Sequence, residues 1–199
     1  INFNAKWLAQ DFGGALSEEG HKLLGRINHN AERMHGLING LLQFAEVGHI
    51  NELSVLTPSG PLVEAVIRYL PPTEGIEVKI KQPLPEVVYS PVRLEQIFQN
   101  LIVNAIRHFG KSNGKVVISC LSQNEYWCFQ VWDNGQGIHK KHFGKIFEMF
   151  QSLNRETLAE STGIGLPVVK KIVEQNGGKV WVESEVDEYT CFSFTVPKI

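Results

Sequence analysis

Asn100-Leu-Ile-Val-Asn104-Ala, Asp133-Asn-Gly135-Gln-Gly137-Ile138, Phe147-Glu-Met-Phe150 and Thr162-Gly163-Ile164-Gly165-Leu166 follow one another in this order between Gln99 and Gly178. Asn100 and Asn104 stand one helical turn apart, on one face of a segment with Leu94, Ile97, Phe98, Leu101, Ile102 and Ala105 at helical spacing. Two amides in an apolar helix lower its propensity, which favours a functional role over simple capping or solvent exposure. A neutral amide oxygen is a hard ligand suited to Mg²⁺, a cation that keeps waters and takes further oxygens from phosphates.

Asp133 closes a strand, and a carboxylate there can accept the amino hydrogens of adenine. Guanine presents a carbonyl at that position. Asp-Asn-Gly by itself is equally an ordinary turn. Gly135 and Gly137 permit backbone turns and close ligand approach. Gly163 and Gly165 lead into a helix that starts near Pro167, a residue suited to a first turn. The free N–H groups of such a terminus bind phosphate oxygens. No Gly-x-x-x-x-Gly-Lys-Ser/Thr loop occurs anywhere in the chain.

Working outward, the 199 residues suffice for one large domain or two small ones, and 43% apolar with 20% charged residues is ordinary for a globular protein. A net charge of −2 without a basic stripe argues against nucleic acid or an anionic membrane as partner. No apolar run reaches the length of a membrane span, and no signal peptide is visible. Cys120, Cys128 and Cys191 lie in strand-like runs, are odd in number and have no zinc-site spacing. Buried thiols in a reducing compartment are expected.

The first fifty residues read differently. Leu24, Ile27, Ala31, Met34, Ile38, Leu41 and Ala45 alternate in steps of three and four, an a/d seam, and Leu23, Leu37 and Phe44 widen the apolar face. Ser17 with Glu18 and Glu19 supplies an N-cap and first-turn acids. A shorter stripe of Ile1, Ala5, Leu8 and Phe12 ends at Gly13-Gly14. Two such helices expose more apolar surface than they cover, so pairing with a second copy in a four-helix bundle is expected. The alternative is that the hairpin packs on its own chain.

Past His49 the reading is a strand at Leu53–Leu56, a helix from Ser59 to Leu70, strands at Ile76–Ile80 and Glu86–Tyr89, and a helix from Ser90-Pro91 to His108. An antiparallel pair at Lys115–Cys120 and Tyr126–Trp132 follows, then a helix to Gln175 and a final pair at Lys179–Glu183 and Cys191–Val196. The fold class is α+β: a helical hairpin over residues 1–50, then a two-layer sandwich over 51–199.

The four motifs together closely resemble the ATP-binding domain of bacterial sensor histidine kinases, members of the Bergerat-fold ATPases. The run Asn30–Leu42 is similar to the second helix of their dimerisation and phosphotransfer hairpin. The resemblance implies ATP and Mg²⁺ as ligands, with Asn104 as the metal ligand and Asn100 placing phosphate or water. Arg107 and His108 stand near the phosphates, and Asn100, Asn104 and Arg107 form the catalytic set. Asp133, Gly135, Gly137 and Ile138 form the base site, with Phe150, Thr162, Gly163, Ile164, Gly165 and Leu166 completing the nucleotide contacts. Ile138 to Ser161, carrying Lys140, Lys141, Lys145 and Arg155, resembles a lid, with Phe147 and Phe150 anchoring its base.

The implied activity is γ-phosphoryl transfer to a histidine, then relay to an aspartate of a response-regulator receiver domain. The implied setting is a cytoplasmic homodimer without nucleic-acid or membrane contact. The family's His-Glu/Asp-Leu-Arg-x-Pro-Leu motif is absent, and none of His21, His29, His35, His49, His108, His139 or His142 fits it. The first residue is Ile, inside a helical pattern, so a fragment of a longer, even membrane-anchored, protein is expected. Ser161 replaces a usual Gly, and Asp187-Glu188-Tyr189 a Gly-rich turn. Both departures keep alive a degenerate nucleotide-binding scaffold. A gyrase-like or MutL-like ATPase is disfavoured, because Asn100 stands where those enzymes carry a glutamate base.

Overall fold

The computed structural model describes residues 16–47, 53–70, 75–107, 109, 113–151 and 162–198, together with positions 4, 7, 8, 10, 11 and 14. Its elements are α1 (Glu18–Glu46), β1 (Val55–Pro58), α2 (Ser59–Arg68), β2 (Ile76–Ile80), β3 (Glu86–Tyr89), α3 (Pro91–Arg107), β4 (Gly114–Gln123), β5 (Tyr126–Asp133), α4 (Gly165–Gln175), β6 (Val180–Glu185) and β7 (Tyr189–Pro197). Two 3₁₀ turns, Lys140–His142 and Lys145–Phe147, interrupt the long connection after β5.

Five strands form one sheet in the order β2-β4-β5-β7-β6, and β1 pairs with β3 in a separate two-stranded ribbon. Only β2 and β4 pair in parallel within the larger sheet. The reason is topological: the chain leaves β2, runs through β3 and α3, and returns to the same edge, as a parallel crossover requires. The alternation expected of half-buried strands holds. Val116 and Ile118, Phe129 and Val131, and Phe192, Phe194 and Val196 all join the core.

That core is closed by α3. Leu94, Ile97, Phe98, Leu101, Ile102 and Ala105 are its buried face, at the spacing the sequence showed. Phe98 meets Phe129 edge-on at 5.5 Å and Phe194 at 5.4 Å, while the latter two stack at 5.2 Å. Each such pair adds about 0.5–1.5 kcal/mol beyond simple burial. Ser90 Oγ accepts from Arg93 N at 3.3 Å and caps the helix start.

The N-terminal helix is capped as expected: Gly20 N donates to Ser17 Oγ at 3.2 Å. The shorter stripe of Ile1, Ala5 and Phe12 with Gly13 lies outside the described residues. Two faces of α1 do different things. Leu37 and Phe44 pack on the core of the sandwich, whereas the seam residues Ile27, Met34, Ile38 and Leu41 stay exposed in the single chain.

Several boundaries moved. The first strand is Val55–Pro58 rather than Leu53–Leu56, with Thr57 as its buried residue. The second helix ends at Arg68 rather than Leu70 and the fourth begins at Gly165 rather than near Pro167, while His108, the expected end of the third, lies outside the described residues. All three cysteines are buried free thiols, and burial pushes the Cys120 thiol up to about 12.

Phe98→Ala removes the ring that joins helix to sheet. A loss of about 3–5 kcal/mol is expected, measured by denaturant unfolding, against less than ~0.5 kcal/mol for a substitution at exposed Val92.

Candidate nucleotide site

The faces of α3 and α4 that do not serve the core enclose, with the loop after β5, a cavity of about 500 Å³. This is within the ordinary range for a small-molecule site. Asn100, Asn104 and Arg107 line it from α3, and Thr162, Gly163, Ile164, Gly165 and Leu166 from the approach to α4 and its first turn. Asp133, Gly137 and Ile138 complete the opposite end. Residues more than sixty positions apart in sequence thus share one space.

The amide pair is not symmetric. Asn100 Nδ2 donates to Gln96 O at 2.8 Å, and its Oδ1 lies 2.8 Å from where a Cβ on Gly165 would sit. Glycine at 165 is therefore what lets the two helices approach at that point. The Asn104 side chain makes no hydrogen bond among the described residues, which leaves its carboxamide available to the cavity. Arg107 is the single Lys or Arg among the described wall residues.

The start of α4 has no side-chain cap: Ile164 occupies the N-cap position and makes no capping hydrogen bond. Its leading N–H groups therefore stay available at the cavity wall, where the helix dipole favours an anion. Gly163 holds φ of 64°, and a Cβ there would fall 2.7 Å from Gln151 O, so the turn into α4 needs glycine.

At the far end Asp133 is 5% exposed and accepts from Gly135 N at 2.9 Å. Gly135 is not on the cavity wall. It corrects the expectation of close ligand approach: its place is beneath the carboxylate, where a Cβ would sit 2.7 Å from Asp133 Oδ1. Across the sheet Asp133 pairs with Thr190, and Thr190 with Ser184, both buried. Ser184 Oγ accepts from Ile138 N at 2.8 Å and lies 3.3 Å from Thr190 Oγ1. A buried polar row thus supports the carboxylate.

The replaced Gly-rich turn works with an aspartate. Asp187 takes φ of 63°, a conformation Asp tolerates better than most residues, and donates its N–H to Gln136 O at 2.8 Å.

Three further expectations change. Phe150 is 56% exposed, has φ of 64° and is absent from the wall; its backbone N–H donates to Gly163 O at 2.9 Å instead, and of the two phenylalanines only Phe147, against Phe192, joins the core packing. His139 and His142, assigned no role from the sequence, line the cavity. Among the lid cations, Lys140, Lys141 and Lys145 are exposed and off the wall, while His108, Arg155 and Ser161 lie outside the described residues. Thr190 and the α1 residues on the wall were missed. The strand register opposite Asp133 carries a signal for the first; nothing local marks the second.

A family profile described as "Histidine kinase-, DNA gyrase B-, and HSP90-like ATPase" matches residues 89–199, more than half of the chain. The chain belongs to that ATPase family. Relatives and solved structures similar to it include histidine kinases, and its fold is that of a histidine kinase catalytic domain. Cyanobacterial phytochrome B of Nostoc sp. strain PCC 7120 is 33% identical over 204 residues, covering 100% of this chain and 27% of the phytochrome. Full-length ShkA, solved in complex with AMPPNP, superposes with a TM-score of 0.72 at 26% identity, over 92% of this chain and 39% of that one. The catalytic domain of histidine kinase ThkA gives a TM-score of 0.60 at 26% identity, over 73% of this chain and 95% of that one. This chain spans about a quarter of the length of such curated relatives as the phytochrome.

Gly137 has φ of 70°, and a Cβ there would lie 2.1 Å from Glu185 O. Gly137→Ala is expected to cost about 1–3 kcal/mol in thermal unfolding and to weaken adenine-nucleotide binding. Gly60→Ala, in open space within α2, is the control and is expected to stabilise by about 0.4–1 kcal/mol.

Proposed function

We propose that this chain is the catalytic part of a two-component sensor kinase, binding Mg·ATP and passing its γ-phosphoryl group to a histidine. One observation carries the reading. An amide pair, an uncapped helix N-terminus and a buried carboxylate converge on a single cavity of about 500 Å³. The base stacks toward the Asp133 end, with its amino group donating to the carboxylate. The phosphates reach the α4 terminus, where N–H groups and Arg107 offset their charge.

The donor set fits magnesium. Among the described residues no group of three or more His, Cys, Asp or Glu side chains could hold a metal alone, so a cation here must share phosphate oxygens with the Asn104 amide. When bound, Mg²⁺ neutralises charge between the phosphates. The protein's own part is positioning and electrostatics: Asn100 is pinned by Gln96, Asn104 presents an oxygen, and Arg107 stabilises charge on the transferred group. In the transfer the unprotonated imidazole nitrogen gives its lone pair to Pγ, the bond from Pγ to the β–γ bridging oxygen breaks with its electron pair leaving on ADP, and the proton of the other ring nitrogen passes to solvent.

Residues 1–50 are read as part of the dimerisation and phosphotransfer hairpin and 51–199 as the catalytic domain. The exposed seam of α1 supports pairing with a second copy, and the phosphohistidine would donate to a response-regulator aspartate. No described helix is long and apolar enough to cross a membrane.

The reaction is tested with a chain extended upstream and ATP labelled in the γ position. Acid-labile, base-stable label on the protein is expected, reduced at least about tenfold by Asn104→Ala through loss of a bond to a charged group. Nucleotide binding without any such label on an extension carrying an intact histidine motif would make the protein a nucleotide-binding scaffold.

A further inference from the structure

The long helix α1 reaches the same cavity. Asn39 and Gln43, four residues apart on its surface, line the wall beside the approach to α4, together with Gly36 and Gly40. The two glycines make this possible. A Cβ on Gly36 would fall 2.9 Å from Thr162 Cγ2, and one on Gly40 would fall 2.8 Å from Ile164 Cδ1. Both contacts fall on the segment that presents the phosphate-end N–H groups, so α1 rests on that part of the site and not at its adenine end.

The docking has its own polar anchors. α1 carries no basic residue in its last turn, and its terminal carbonyls need donors from elsewhere. Lys171 of α4 donates to Phe44 O at 2.7 Å and lies 4.4 Å over the Phe44 ring. Arg93 of α3 donates to Glu46 O at 3.4 Å. Two cations of the ATP-binding sandwich thus complete the negative end of α1. With the helix docked the cavity still measures about 500 Å³, so α1 walls the site without filling it.

We propose that α1 is a working wall of the nucleotide site: Asn39 and Gln43 contact the triphosphate of bound nucleotide, and nucleotide binding is thereby coupled to docking of α1. The inference rests on the reading of the cavity as an ATP site and assigns two binding residues beyond its motifs. Asn39 is already oriented, its Nδ2 lying 3.1 Å from His35 Nε2. Coupling is reciprocal: nucleotide holds α1 in place to the same degree that docked α1 holds nucleotide.

Binding of a non-hydrolysable ATP analogue with Mg²⁺ to the 199-residue chain, by calorimetry, is compared with the Asn39→Ala/Gln43→Ala double variant and with Gly40→Leu, which wedges the helix off Ile164. Affinity is expected to fall about tenfold in both. Hydrogen exchange on the unmodified chain needs no variant to fold: the analogue is expected to slow amide exchange in residues 36–46. Unchanged affinities with no protection in 36–46 overturn the coupling while leaving the ATP site standing. An unmodified chain that binds no analogue overturns both.

Discussion

The packing of α3 on the five-stranded sheet is the constraint on which the rest depends. One face of this helix buries Leu94, Ile97, Phe98, Leu101 and Ile102 against the strands, and Phe98 locks to Phe129 and Phe194. With that face fixed, the helical period leaves Asn100, Asn104 and Arg107 to the cavity side. The site residues need no separate positioning device, because a rotation of α3 that moved the amides would also unpack the core.

The second helix of the site is held by a different logic. α4 buries Val168, Val169, Ile172 and Val173, and Tyr89 on β3 donates to Ile172 O at 3.4 Å. Its N-terminus is left without a side-chain cap, so its leading N–H groups stay open at the cavity wall. Glycines at 163 and 165 then serve two distinct needs, one a left-handed turn and the other the close approach of Asn100. An uncapped helix end and an amide pair are thereby brought together by ordinary side-chain packing.

Much of this was legible in the residues. Period-3.6 and period-2 patterns located α3 and most of the strands, since their buried faces are long and unbroken. The Asn100/Asn104 pair and Asp133 stood out because each violates local apolar expectation. What was not legible depends on contacts distant in sequence. Gly36 and Gly40 carry no signal of their own in the heptad pattern, and only their juxtaposition with Thr162 and Ile164 gives them a purpose. Phe150 looked like an anchor by composition, yet its positive φ turns the ring to solvent while its backbone serves Gly163. The Ser184–Thr190–Asp133 row follows from strand register, which a turn of unknown geometry at Asp187 did not fix in advance.

Selectivity for the base tests the central claim most directly: that the cavity takes an adenine nucleotide with its amino group on Asp133. Competitive binding of ATP and GTP analogues to the 199-residue chain measures it. A site that donates no hydrogen to the base at this point, and leaves a buried carboxylate facing guanine's carbonyl, should favour ATP by at least about a hundredfold, with Asp133→Asn narrowing the gap. Equal affinity for the two, unchanged by Asp133→Asn, would contradict it.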